Sequence, residues 1–187
     1  MFKRLKKHNV IVVSGPGRSG TRITAKAIAF DTGHKYVDEK EFGNSKTGLF
    51  HNIIESRNNI VVQCPAMAYR IHKVENVFVV FLRRCVEDIA LSQERIGGYY
   101  TRKYWNRRYN EEFKPKKLFD IWDIEGGILR RSISRVAWPM TVYKCWDTFQ
   151  KPAMDNYKEV EYESLKKHPL WIDKKYRLNF KPEQTTV

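Results

Sequence analysis

The chain has 187 residues, 42% of them hydrophobic and 30% charged. That is enough for one domain, spanning 1–187, that buries about 70% of its unfolded surface, and too apolar for global disorder. The formal net charge is +14, from 35 basic against 21 acidic residues, which favours anionic partners: nucleic acid, a polyphosphorylated nucleotide, an anionic glycan or a membrane surface. Three cysteines (Cys64, Cys85, Cys145) lie far apart without metal-ligand spacing, which argues against a disulfide framework and fits a reducing compartment.

Residues 1–8 are basic, but the apolar run behind them lasts only four or five positions before Gly15-Pro16-Gly17. It is too short for a signal sequence or a membrane span, so a soluble, cytoplasmic protein without an anchor is expected. The run itself, VIVV at 10–13, is continuous, apolar and β-branched, the mark of a strand buried on both faces. From Gly20 the pattern turns helical, with Ile23, Ala27 and Ile28 on one face. Strand, glycine-rich loop and helix together form a phosphate cradle: backbone N–H groups converge, and the helix N-terminus carries about half a positive charge. Arg18 adds a cationic fork, and Ser19 and Thr21 add hydroxyls. Gly15 and Gly20 have the separation of the nucleotide P-loop GxxxxGK[ST], but Thr21 and Arg22 stand where its Lys and Ser/Thr belong. The lysine for the β/γ-phosphates and the hydroxyl for Mg²⁺ are thus both replaced, which disfavours an ordinary kinase or ATPase.

Gly33 closes the first helix, and Lys35-Tyr36-Val37 is a short second strand. An acidic island follows, Asp38-Glu39-Lys40-Glu41-Phe42-Gly43, then a helix over 45–57 with Leu49, Ile53 and Ile54 on its apolar face. Asn58-Asn59 marks a turn and IVVQ at 60–63 another buried strand. Pro65 starts a helical segment through Met67 and Ile71, and VFVVFL at 77–82 is the strongest strand of the chain. Strands and helices alternating at these lengths predict an α/β fold with a doubly wound parallel sheet, helices on both faces and a P-loop-like phosphate-binding loop. Residues 99–110 (YYTRKYWNRRYN) interleave cations and aromatic rings, suited to stacking on bases or sugars, or equally to an aliphatic-stemmed surface with its rings turned inward. Between 118 and 149, Trp122, Ile128, Leu129, Ile133, Val136 and Trp138 recur at helical spacing, interrupted at Gly126-Gly127 and Pro139. Glu159-Val160-Glu161-Tyr162 reads as a late strand.

The strand at 77–82 runs directly into Arg83-Arg84, placing a guanidinium at the carboxyl edge of the sheet, where open parallel sheets bind ligands. Ser92 lies two helical turns beyond Arg84. Arg18-Ser19-Gly20-Thr21 resembles the [KR]-S-G-T loop of sulfotransferases that use 3′-phosphoadenosine 5′-phosphosulfate (PAPS). Arg84-x3-Asp88-x3-Ser92 resembles the R-x-x-x-D-x-x-x-S element of the same family. Many members carry proline two residues after that arginine; here Val86 stands there, and Arg83 is the alternative if the register slips by one. The resemblance covers 10–28 and 77–96. It implies that Arg18, Ser19, Gly20, Thr21 and Arg22 bind the 5′-phosphosulfate, that Arg84 and Ser92 bind the 3′-phosphate, and that the product is 3′,5′-ADP. No metal is required if cations and N–H donors neutralise the developing charge.

In that family the base that takes the acceptor proton is a histidine or a glutamate. The stretch where a histidine would stand is Val61-Val62-Gln63-Cys64-Pro65, so the resemblance points to Glu39, with Glu41 as the alternative, and to a hydroxyl acceptor with an amine as the alternative. The +14 charge and a glutamate base lean toward a carbohydrate or another anionic acceptor. His51 and His72 fall on helices as ordinary surface residues. Cys64 to Arg70 has the C-x5-R spacing of cysteine phosphatases, but Pro-Ala-Met-Ala-Tyr lacks the compliant glycines of such a loop, and Ile71 stands where an assisting hydroxyl belongs. Two other readings stay open: a P-loop kinase of unusual loop, and a non-catalytic nucleic-acid binder using 99–110.

Overall fold

The computed structural model describes residues 1–42, 47–95 and 134–172. The predicted features at 99–110, Trp122, Gly126-Gly127, Ile128, Leu129 and Ile133 lie outside them. The chain divides into two compact units, Met1–Arg84 with Val142–Val187, and Cys85–Thr141.

The first unit holds a five-stranded, all-parallel sheet in the order β2-β3-β1-β4-β5, from β1 (Val10–Ser14), β2 (Lys35–Val37), β3 (Ile60–Gln63), β4 (Phe78–Arg83) and β5 (Tyr157–Glu161). Every residue of β1 and β3 is buried, as continuous apolar runs covered on two faces require. Side chains alternate across the sheet. Ile11, Val13, Val80 and Leu82 pack into one core with Ala25 and Ile28 of helix α1 (Thr21–Thr32) and with Leu165 and Leu170. Phe81 points the other way and stacks on buried Trp146, ring centroids 4.0 Å apart. The sheet is therefore layered on both faces, and the predicted α/β class is the one found.

The sequence boundaries shift in physically readable ways. Helix α2 is described over Thr47–Ser56, with Phe50 edge-on to Phe42 of the turn Glu39–Phe42. Instead of one helical segment from Pro65, two 3₁₀ turns form, Pro65–Met67 and Ile71–Lys73. Met67, Ala68, Tyr69 and Ile71 are all buried, and such near-consecutive burial cannot lie on one face of an α-helix. Pro139 does not interrupt its helix, which runs over Ser134–Cys145 and widens into a π-type turn, Trp146–Gln150. The lost proline N–H is outweighed where Val142, Cys145 and Trp146 are fully buried. In the second unit, helix α3 spans Val86–Glu94.

The strand order fixes where a ligand site belongs. The connection after β1 leads past β3 to β2, whereas that after β3 crosses to the opposite side of β1, to β4. The carboxyl ends of β1 and β4 therefore flank the topological switch point, the usual ligand crevice of open α/β sheets.

Candidate active site

Two chain segments meet at that crevice. The first is the loop 15–20 after β1. Ser14 pairs with Phe81, so β4 continues alongside the loop, and a Cβ on Gly15 would meet the Leu82 carbonyl oxygen at 2.9 Å. Gly15 and Gly20 both have positive φ, and so does Arg18, at 74°. A non-glycine residue held there costs on the order of 1–3 kcal/mol and is typical of ligand-binding loops. The Ser19 N–H is spent within the loop, donating to the Pro16 carbonyl at 3.0 Å. Its hydroxyl is fully buried and has no hydrogen-bond partner among the described residues.

Helix α1 starts without a side-chain cap, and its first backbone bond is Thr24 N–H to the Gly20 carbonyl at 3.1 Å. The preceding N–H groups, of Thr21, Arg22 and Ile23, are the unpaired donors that a helix N-terminus offers. Together with the buried Ser19 hydroxyl, they fit a bound phosphate or phosphosulfate group.

The second segment is the end of β4. Arg84 donates through Nη1 to the Arg18 carbonyl at 3.0 Å, and its guanidinium lies 4.2 Å from the centroid of the Tyr162 ring. Its backbone N–H and carbonyl are both engaged by the Tyr143 hydroxyl, at 2.8 and 3.0 Å. Arg83 faces elsewhere. It donates to Glu159 at 2.8 Å and also pairs with Asp147, while Glu159 further accepts from Trp146 Nε1 and Lys151, each at 2.8 Å. Of the two arginines, Arg84 alone contacts the loop. Ser92 is half-buried on α3, in the second unit.

A polar cluster lies beyond the first turn of α1. Gln63, the last residue of β3, donates to the Thr21 hydroxyl at 3.3 Å. Arg22 grips Asp38 with two nitrogens, at 3.1 and 3.3 Å, and the Tyr36 hydroxyl donates to Asp38 at 2.8 Å. Thus Thr21, at the P-loop lysine position, is held by the sheet edge, and Arg22, at the Mg²⁺-hydroxyl position, is committed to a carboxylate. Glu39 stands on the turn beside this cluster. Burial pushes its carboxyl above the ordinary glutamate range; the Gln63 hydrogen bond opposes the shift and the charge of Asp38 adds to it. Burial also raises Glu41, which accepts from the Asp38 N–H at 3.0 Å. A cavity of about 430 Å³ opens here, lined by Arg22, Lys26, Asp38, Lys40 and Glu41.

The remaining candidates sort plainly. His51 lies beside Phe50 on α2, and His72 Nδ1 is 3.3 Å from Gln150 Oε1. Burial pushes the Cys64 thiol up to about 12, against the lowering effect of the Met67 and Ala66 N–H groups and of the Arg70 charge, which favours the thiol over the thiolate. No group of side chains suited to a metal ion occurs among the described residues. No helix among them is long and apolar enough to cross a membrane. Tyr162, Asp38, Tyr36, Gln63 and Lys26 were not singled out from the sequence as site residues. The local signals were the acidic island that opens at Asp38 and the polar Gln63 closing an otherwise apolar strand.

Neither a protein-family model nor a curated protein sequence matches the chain. Among solved structures, it is similar to a shikimate kinase from Acinetobacter baumannii in complex with shikimate, with a TM-score of 0.51 and 14% sequence identity. The likeness covers 86% of this chain and 88% of that one, and it supports the α/β fold.

Proposed function

We propose that the protein is a transferase that holds the phosphate groups of a nucleotide donor at the β1–α1 loop, and that the group it moves is a sulfuryl group, from PAPS to a hydroxyl acceptor. The observation that carries this reading is the Arg84–Arg18 contact at 3.0 Å, which joins the segment suited to a 5′-phosphosulfate to the segment suited to a 3′-phosphate. Arg18, the buried Ser19 hydroxyl and the first-turn N–H groups of α1 would neutralise the leaving phosphate. Arg84 would bind the 3′-phosphate. The acceptor oxygen bonds to sulfur as the bridging S–O bond to phosphate breaks; the acceptor proton goes to Glu39, and 3′,5′-ADP leaves.

A second reading is a small-molecule kinase, which the fold shared with shikimate kinase favours. Thr21 and Arg22 weigh against it, since one is tied to Gln63 and the other to Asp38 where a kinase loop needs a free lysine and a Mg²⁺-binding hydroxyl. Calorimetric titration separates the two. Sulfuryl transfer predicts binding of 3′,5′-ADP in preference to 5′-ADP, indifferent to Mg²⁺. Mg²⁺-dependent preference for 5′-ADP would move the assignment to a kinase, and absence of both would sink each reading.

A further inference from the structure

We infer that the cavity beside Glu39 is an acceptor pocket built for a hydroxy compound that also carries an anionic group, a carboxylate or an acid ester, with Lys26 and Lys40 as its counter-charges. The wall presents three cations against two carboxylates, and both carboxylates already accept hydrogen bonds from the protein itself. Asp38 takes two contacts from Arg22, one from the Tyr36 hydroxyl and one from the Lys40 N–H at 3.2 Å. Glu41 takes the Asp38 N–H at 3.0 Å and has Arg57 at 4.0 Å. Arg22 is spent in the same network.

That leaves two ammonium groups facing the space. Among the described residues neither Lys26 nor Lys40 has a carboxylate within ion-pair distance, and Lys26 is steadied instead over the Tyr36 ring, 5.7 Å from its centroid. A wall whose cations outnumber its acids, and whose lysines pair with neither acid, will attract an anion and disfavour a cation. The volume lies in the range of small-molecule sites. Glu39 lies on the adjoining turn, between the lining residues Asp38 and Lys40, and feels their charges.

The inference rests on the transfer reading only for the fate of the hydroxyl, and binding tests it apart from turnover. The probe is a panel of sugar, alicyclic and aromatic hydroxy acids, each paired with its methyl ester, titrated onto the full chain by ligand-observed NMR. At least one acid is expected to bind ten-fold or more tighter than its ester. Lys26→Gln with Lys40→Gln should erase that preference while leaving 3′,5′-ADP affinity unchanged. Esters binding as well as acids, a preference that survives the double substitution, or no member binding would overturn the pocket. Failure of 3′,5′-ADP to bind the unaltered chain would instead fall on the donor reading.

Discussion

The Arg84 guanidinium is held on two sides at once, by the Arg18 carbonyl at 3.0 Å and by the face of Tyr162 at 4.2 Å. Only a planar, delocalised cation can bridge an oxygen and stack on a ring in this way. Arg84→Ala is therefore expected to weaken 3′,5′-ADP binding about 10–100-fold, the worth of a charged hydrogen bond of about 1.5–3 kcal/mol. Arg84→Lys should recover little of it, because an ammonium cannot make both contacts. Calorimetry on the two variants checks this, and unchanged affinity in either would remove Arg84 from the donor site.

Arg83 supplies the complementary control. Its partners are Glu159 and Asp147, away from the loop. Arg83→Ala removes two charge-assisted contacts that are partly open to solvent, so it should cost about 1–3 kcal/mol of stability in denaturant unfolding and leave 3′,5′-ADP affinity within two-fold. A donor-binding defect as large as that of Arg84→Ala would mean that the register of the arginine pair is shifted by one.

Gly20 and Tyr162 are packed so closely that no side chain fits between them. A Cβ on Gly20 would stand 2.3 Å from Tyr162 Cδ2, at a backbone φ of 100° that disfavours any L side chain. Gly20→Ala should destabilise the protein by about 1–3 kcal/mol. Gly20→Ala combined with Tyr162→Ala should lose less than the sum of the two single changes, since the clash disappears while the dihedral strain remains. Strict additivity in thermal or urea unfolding would show that the contact carries no strain.

These pairs also mark what was legible in the sequence. Strands β1, β3 and β4 and helix α1 could be read because their information is local: unbroken β-branched runs, a glycine-rich loop, and Gly33 closing the helix with its N–H on the Ala29 carbonyl at 2.9 Å. Arg84 could be placed at the crevice because a parallel strand delivers its next residue to the carboxyl edge. Tyr162 could not. It follows a short strand with no motif, and it reaches Gly20 only because β5 adds beside β4, a pairing that periodicity does not encode. The Asp38 network was hidden for a related reason. Along the chain Asp38 is one charge of the acidic island and Arg22 a residue of the phosphate loop, and the two become partners only when β2 is laid beside β3 and the end of β3 beside α1.

Arg18 tests whether the loop trades stability for binding. Its φ of 74° costs about 1–2 kcal/mol for a residue with a Cβ. Arg18→Gly relieves that strain against a glycine entropy cost of about 0.5–1 kcal/mol, so the variant should match or slightly exceed the parent in unfolding free energy. Arg18→Ala keeps the strain and should gain nothing. Both should lose donor affinity, because the guanidinium is gone in each. Should Arg18→Gly keep full affinity for 3′,5′-ADP and full turnover, the side chain has no part in the site and only the loop backbone does.

Glu39 makes the sharpest prediction, because its role and its protonation are linked. A base must be ionised to accept the acceptor proton, and burial raises the Glu39 carboxyl, with Asp38 adding to the shift. The acid limb of kcat/KM should therefore bend above the ordinary glutamate value of about 4.3. Glu39→Gln should reduce turnover about 10²–10⁴-fold and abolish that limb while donor affinity is kept. The same shift fixes the sign of a stability effect. A carboxyl whose pKa is higher folded than unfolded binds more protons in the native state between the two values, so its contribution to stability is full below the unfolded value and lost as pH rises through the folded one. Glu39→Gln should thus be more stable than the parent at neutral pH, with the gain shrinking toward pH 4. Glu41 is raised by burial too, so Glu41→Gln should share the stability sign, but it keeps an oxygen for the Asp38 N–H and should leave the activity limb in place. If the limb instead vanishes in Glu41→Gln and survives in Glu39→Gln, the base is Glu41, which lines the cavity itself.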